Sequence, residues 1–414
     1  MLRYSSHVEI RLPNIQHNIN RIREFYAPKA TIIAMIKGQG YGNGLAPVGG
    51  YLHESCDIHH FGVATLGEAH HLLQSCPSID AKGNHVFVCS DTEILNPAMQ
   101  SAYEEQNRKA ASGAGAQLWP ILGTRGAVEH FCAQRRTTFA DTPLCVKLNT
   151  GMNRLGLPRA ELEALVPLLR ASGGVDLLLQ HFSISGAVGH PACASQYECF
   201  QRAKAFLRDA GVAVRATSAS NSGAIEQGLG VEETYVRPGI MLYGPSSLDP
   251  ATMTPGLRPW DGKACGFFYT KVLHRHVVRA GEHVGYGVRD NQAREDMVVV
   301  VVPTGYADGF SRFYKGMPVC VSPALPRGAD EDLANLQGQI MGRVFGNVNM
   351  DMAAIAVVPS EVGRDIETLL REIRPETTVL LWGQDIGAKA TAVNTIPYEL
   401  MCGLTERIPR VYVQ

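Results

Sequence analysis

"TIIAMIKGQGYGNG", Thr31 to Gly44, is the stretch on which the fold turns. An unbroken apolar run ends on one lysine, Lys37, and opens into a glycine-rich loop around Tyr41. A strand that is apolar on both faces is buried on both faces, which is how the strands of parallel sheets read. The glycines that follow mark a tight loop rather than a continuing element. Lys37 therefore stands at the C-terminal end of a strand, where parallel α/β folds place their functional groups. Its amine has two readings. Its stem can pack under a solvated head, or the amine can be desolvated enough to lose its proton near neutral pH and form a Schiff base with a carbonyl.

The same texture repeats outward from this stretch. Short apolar runs, "FGVATL", "HVFVCS", "AQLWPIL", "PLCVKLN", "VDLLLQHF", "VRATSAS" and "TYVRPGIMLYG", alternate with helical patterns. In "PNIQHNINRIREFY" the apolar residues Ile15, Ile19, Ile22 and Tyr26 fall at helical spacing behind a proline suited to a first turn. In "SQYECFQRAKAFLRDAG", Ser195 and Glu198 have capping-box spacing and Gly211 is the stop. Strands alternating with helices predict an α/β protein with an N-terminal (β/α)8 barrel. An open doubly wound sheet is the alternative on pattern alone. Past Gly244 a proline- and glycine-rich connection leads into "YTKVLHRHVVRAGEHVGYG", "DMVVVVVPTGYADG", "GMPVCVS" and "TTVLLWGQD", strands separated by turns. This predicts a C-terminal β-rich domain. Two polar stretches, "YEEQNRKAASGAGAQ" and "SPALPRGADEDLANLQGQ", read as surface insertions.

Bulk properties exclude several classes of partner. With 45% hydrophobic and 19% charged residues, the chain can bury a sizeable core. A net charge of −1 without a basic cluster gives no field for nucleic acid. No apolar run reaches membrane length, and "MLRYSSHVEIRLPNI" carries no apolar signal core, so a cytoplasmic protein is expected. The ten cysteines include no CxxC pair and read as small core residues. Cys193 and Cys199 could join His190 at a metal, but the spacing fits no standard zinc pattern.

Further polar groups sit where strands should end. "VKLNTGMNRLG" sets Lys147 and Arg154 around a Thr-Gly turn, "ASNSGA" offers Ser222 just before a helix start, and "YVRPGIMLYG" carries Arg237 ahead of Pro-Gly-Ile. "GEHVGYG" and "TGYADGFSR" put Tyr286 and Tyr306 into glycine-flanked turns. In this order, with "MIKGQGYGNG", "NMDM" and "YELMCGLTERIPRVY", the blocks resemble those of the alanine racemases over nearly the whole chain. That family pairs a pyridoxal-phosphate-binding barrel with a C-terminal β domain.

The resemblance implies a barrel over 11–245, and a β domain of 1–10 and 246–414 that completes the active site of the partner subunit in a homodimer. It implies pyridoxal 5'-phosphate as cofactor, held by Lys37 as a Schiff base. Tyr41, Ser222 and the backbone N–H groups of Gly239 and Ile240 would bind its phosphate, Arg237 would face its pyridine nitrogen, and His181 would join that network. Arg154 would hold the substrate carboxylate with help from the N–H of Met350. Lys147, Tyr306, Asp351 and Glu406 would support the site. Racemisation takes a proton from one face of the α-carbon and returns it on the other, so two bases are the simple solution. The resemblance makes them Lys37 and Tyr286, on opposite faces of the cofactor-bound substrate. A tyrosine, ionising near pH ~10, needs neighbouring positive charge for that task, and Arg237 acting through His181 is a source.

The chain departs from the family's pattern in places. Gly38 and Gly40 stand where the lysine motif usually has alanine, so a looser loop is expected there. Asn149 replaces a frequent aspartate, and Glu406 a frequent tyrosine that bounds the side-chain pocket. A glutamate there either accepts a hydrogen bond from a substrate hydroxyl or points to solvent, so serine or several small amino acids stand beside alanine as substrates. A D-amino-acid aldolase or dehydratase on the same cofactor is a further alternative.

Overall fold

The computed structural model describes residues 5–90, 92–287, 291–322 and 339–414. It divides into two compact units, Ile15–Gly262 and Met1–Asn14 with Lys263–Gln414.

In the first unit the predicted runs become parallel strands in chain order: His60–Val63, His85–Val88, Gln117–Leu122, Cys145–Lys147, Val175–Leu179, Val214–Asn221 and Tyr235–Arg237. The opening run is split at Ile33. Its first half, Thr31–Ile32, pairs with the last strand, and its second half, Ala34–Met35, pairs with His60–Val63. One segment thus closes the sheet on itself and forms the barrel. Phe87 and Tyr235 lie on strands that are not neighbours, yet their rings meet at 5.9 Å, so side chains fill the interior. Helices lie between the strands, as the alternation required.

Two local expectations are corrected. The stretch 103–117 is no insertion: most of it belongs to the helix Pro97–Ala111, built from strong helix formers and anchored by the buried Tyr103 and Asn107. The helix expected to begin at Ser195 begins at Pro191, with Nδ1 of His190 accepting from the N–H of Ala192 at 3.2 Å. A proline at the first helical position outcompetes the later capping-box pattern. The other polar stretch, 322–339, lies almost wholly outside the described residues.

The second unit is a sheet in the order His274–Val278, Met297–Val302, Ala353–Val357, Ile340–Phe345, Pro318–Ser322, Thr378–Trp382, Gly266–Lys271, His7–Arg11, Arg410–Val413. Neighbours run antiparallel except the last pair. Among the described residues, no helix is long and apolar enough to cross a membrane.

Candidate active site

Strand register decides which side chains share the C-terminal mouth of the barrel. Lys147 pairs with Leu179, Leu179 with Ser218, and Arg237 with Asn221, so Lys147, Gln180, Ser218 and Arg237 lie in adjoining layers. The barrel's seam brings Lys37 alongside: the N–H of Met35 donates to the carbonyl of Pro238 at 3.1 Å, next to Arg237.

After Lys37 the chain winds the wrong way for L-residues. Gly38, Gln39, Gly40 and Tyr41 all have φ between 53° and 62°. The turn is hydrogen-bonded, with Gly40 N–H to Ile36, Gly42 N–H to Gly38 and Gly44 N–H to Gln39. Left-handed backbone costs a residue with a Cβ roughly 1–2 kcal/mol. Glycine at 38 and 40 removes that cost at two positions, so glycine in place of alanine suits the left-handed turn.

Arg237 is buried. Its guanidinium donates to the carbonyls of Gln180 (2.6 Å) and Ala219 (3.3 Å) and to Oγ of Ser218. Among the described residues no carboxylate pairs with it. Burial lowers its pKa to about 10, which still leaves it charged at neutral pH. Burial, then the charges of Arg154 and Arg237, lowers Lys147 to about 8. His181 is held well below its ordinary value, by burial first and Arg237 second, and is neutral. Its Nε2 lies 3.4 Å from Nδ2 of Asn221. Unbalanced cations in a partly desolvated mouth are a site for an anion.

Beside them lies a backbone cradle. Oγ of Ser222 accepts from the N–H of Gly239 at 2.8 Å, and the N–H of Met241 is 3.5 Å away. A Cβ at Gly239 would come within 2.3 Å of the Tyr41 hydroxyl, so only glycine lets Tyr41 approach. Tyr41 stacks on Tyr243 at 4.8 Å. Ile240 opens the following turn, Ile240–Tyr243.

Arg154 rides on an exposed loop shaped by Asn149, whose Oδ1 accepts from the N–H groups of Gly151 and Asn153, both at 3.1 Å. The substitution of Asn149 for aspartate thus keeps the turn. Thr150 donates to Gln180 at 2.8 Å, tying this loop to the layer of Arg237. Gln180 and Ser218 went unnoticed in the sequence; a polar residue at the end of an apolar strand, next to His181, was the available signal.

In the second unit, three distant blocks converge. The N–H of Tyr306 donates to Asn349 and that of Ala307 to Met350, both at 2.9 Å. Arg407 pairs with Asp351 at 2.8 Å and Asp308 at 3.1 Å. Tyr306, Met350, Asp351 and Glu406 therefore share one patch. The carbonyl of Tyr286 accepts from Asn347 at 2.7 Å, which attaches the Gly285–Gly287 turn to the same patch. Tyr286 is 75% exposed and Met350 54%. Glu406 is exposed as well, its charge felt by Arg410.

Residues 10–247 match the family described as "Alanine racemase, N-terminal domain", and 267–412 match "Alanine racemase, C-terminal domain". The chain is 31% identical to an alanine racemase of Marinobacter nauticus over 416 aligned positions, covering 97% of this chain and 98% of that one. It resembles the solved structure of alanine racemase from Acinetobacter baumannii with a TM-score of 0.75 and 28% identity, over 99% and 100% of the two chains. Against the biosynthetic alanine racemase of Pseudomonas aeruginosa the TM-score is 0.77 at 26% identity, with both chains fully covered.

Proposed function

The chain belongs to the alanine racemase family, and on that footing we propose that it interconverts L- and D-alanine, using pyridoxal 5'-phosphate, as a homodimer with shared active sites. The single observation that carries this reading is Arg237, a buried cation without a carboxylate partner among the described residues. Such a group is costly unless a ligand balances it.

The residues present fit the cofactor. Lys37 offers an amine at a strand end for its aldehyde carbon. Ser222, Tyr41 and the N–H groups of Gly239 and Ile240 would take its phosphate, in the cradle whose Gly239 lacks room for a Cβ. Arg237 would donate to its pyridine nitrogen, and His181 would complete that network. Once bound, the cofactor supplies an electron sink that acidifies the α-C–H of an attached amino acid.

The remaining work belongs to this chain's side chains. Arg154, helped by the N–H of Met350, would fix the substrate carboxylate, leaving the α-carbon in one orientation. Lys147, a base lowered to about 8, would support Arg154. Lys37 would take or return the α-proton on one face and Tyr286 on the other, so each direction of reaction uses both bases. Arg237 keeps its own proton at neutral pH, so it would donate a hydrogen bond to the pyridine nitrogen without protonating it. The exposed apolar groups Tyr286, Tyr306 and Met350 suit a surface that a second copy covers. The β unit, in this reading, serves the partner's barrel.

A second reading, serine or several small amino acids, is favoured by Glu406, an exposed acid on the loop that also carries Arg407 and faces the Tyr306 turn. The test for both is α-proton exchange followed by NMR in heavy water with the cofactor-loaded protein, on L- and D-alanine, serine and larger amino acids. Inversion confined to alanine supports the first reading and inversion of serine the second. No exchange despite bound cofactor would overturn both, in favour of another reaction on the same cofactor.

A further inference from the structure

Glu68 stands third in the helix Leu66–Ser75, behind the N-cap Thr65, whose Oγ1 accepts from the N–H of Glu68 at 3.2 Å. In an ordinary capping box the glutamate would return to the backbone N–H of its own cap. Here its carboxylate goes elsewhere. Oε2 accepts from the N–H of Ala64 and Oε1 from the N–H of Gly38, both at 2.7 Å. Hydrogen bonds to an ionised acceptor are about twice as strong as neutral ones.

The Gly38 N–H is the first of the left-handed turn, at the place where a helical turn lacks an acceptor of its own. The other side of Lys37 is fixed as well, since the N–H of Ile36 donates to Gly62 at 2.9 Å. The residues on either side of Lys37 are therefore both tied to the strand His60–Val63 and the helix after it, Ile36 by sheet pairing and Gly38 through Glu68. Glu93 braces the same corner, its Oε2 accepting from the N–H of Leu66 at 2.8 Å.

We propose that Glu68 is a positioning residue: it anchors the left-handed turn and so holds the Cα of Lys37 while the amine swings between its tasks. This rests on the proposed role of Lys37. A base must come within about 2.6–3.2 Å of its proton, and small misplacements are costly in rate.

The test compares Glu68→Gln with Thr65→Ala in the full chain loaded with pyridoxal phosphate. An amide accepts only on its oxygen, so Glu68→Gln loses one of the two backbone bonds. We expect kcat to fall about tenfold with the KM for alanine within about twofold, because Arg154 is untouched. The visible circular dichroism of the bound cofactor should change, and amide exchange across 36–44 should quicken in the cofactor-free chain. Thr65→Ala removes the cap alone; it should lower Tm and leave kcat, KM and the dichroism as they were. If Glu68→Gln folds poorly, Glu68→Asp, one methylene too short for both bonds, should give the same pattern. Unchanged kcat and dichroism in the Glu68 variants would overturn the proposal, as would Thr65→Ala reproducing their effects. If borohydride attaches no cofactor to Lys37 in the parent chain, the functional reading fails instead, and the amide-exchange arm still decides whether Glu68 holds the turn.

Discussion

The two mouths of the barrel bury basic side chains in opposite ways. At the C-terminal mouth, Arg237 has carbonyl and hydroxyl acceptors and stays charged at neutral pH. At the N-terminal mouth, His60 and His85 begin adjacent strands, their rings 4.8 Å apart, among Phe87, Trp119 and Tyr235. The Nδ1 atoms of both imidazoles are buried without a partner among the described residues, and burial lowers each pKa to about 4. A buried base that finds acceptors keeps its proton, and one that finds only rings gives it up. One mouth is thus an electrostatic site and the other a packed floor.

The most severe way to break the contrast is Lys37→Ala. It should abolish racemisation, a loss beyond about 10³-fold, and remove the borohydride-fixed cofactor adduct found by mass spectrometry. A retained adduct at the active site would refute the assignment of Lys37.

Removing the buried cation comes next. Arg237→Met should cut kcat/KM by about 10²-fold, while the cofactor-free chain keeps or gains stability by about 1 kcal/mol in urea titrations. A large loss of stability instead would make Arg237 structural and erase the difference between the mouths.

The floor should reveal itself in acid. A histidine at about 4 when folded and 6.5 when unfolded binds fewer protons in the native state. Its contribution is complete above pH 6.5 and is lost as pH falls toward 4, at about 1 kcal/mol per pH unit for each histidine. The double variant His60→Phe, His85→Phe should therefore show a flatter pH dependence of its urea midpoint across that window. An unchanged slope would mean the imidazoles are not neutral packing.

The smallest effect concerns the turn. Gly40→Ala places a Cβ in ordinary contact, 3.6–3.7 Å from Leu45 and Val48, but at φ 61°. Thermal unfolding should show a loss of about 1 kcal/mol, with the KM for alanine unchanged.

What the sequence disclosed follows the same division. Strands apolar on both faces announced the barrel, and lysine or arginine at their ends announced the upper mouth, because a charge closing an apolar run conflicts with burial. Lys37, Lys147 and Arg237 were legible for that reason. The floor was not: His60 opens a strand within "HHF" and reads as a polar flank, and only closure of the barrel turns it inward among the rings. The left-handed turn was equally hidden, since glycines announce freedom of backbone but not its hand. Glu68 was hidden too, because the partners of its carboxylate depend on a loop thirty positions earlier in the chain. The helix Pro97–Ala111 was missed because its few buried residues, Gln100, Tyr103 and Asn107, are mostly polar and give no apolar stripe.

The split strand at Ile33 bears on the order in which the molecule can assemble. Its first half needs Tyr235–Val236 as partner, so the segment leading to Lys37 stays half-unpaired until nearly all of the barrel sequence exists and has collapsed. Contacts so distant along the chain form late, after the entropy of closing the intervening loop has been overcome. Lys37 and the Arg237 strand consequently reach their working geometry in the same closing event. A chain whose barrel has not closed presents neither the seam at Ile33 nor the hydrogen bond from Met35 to Pro238 beside Arg237.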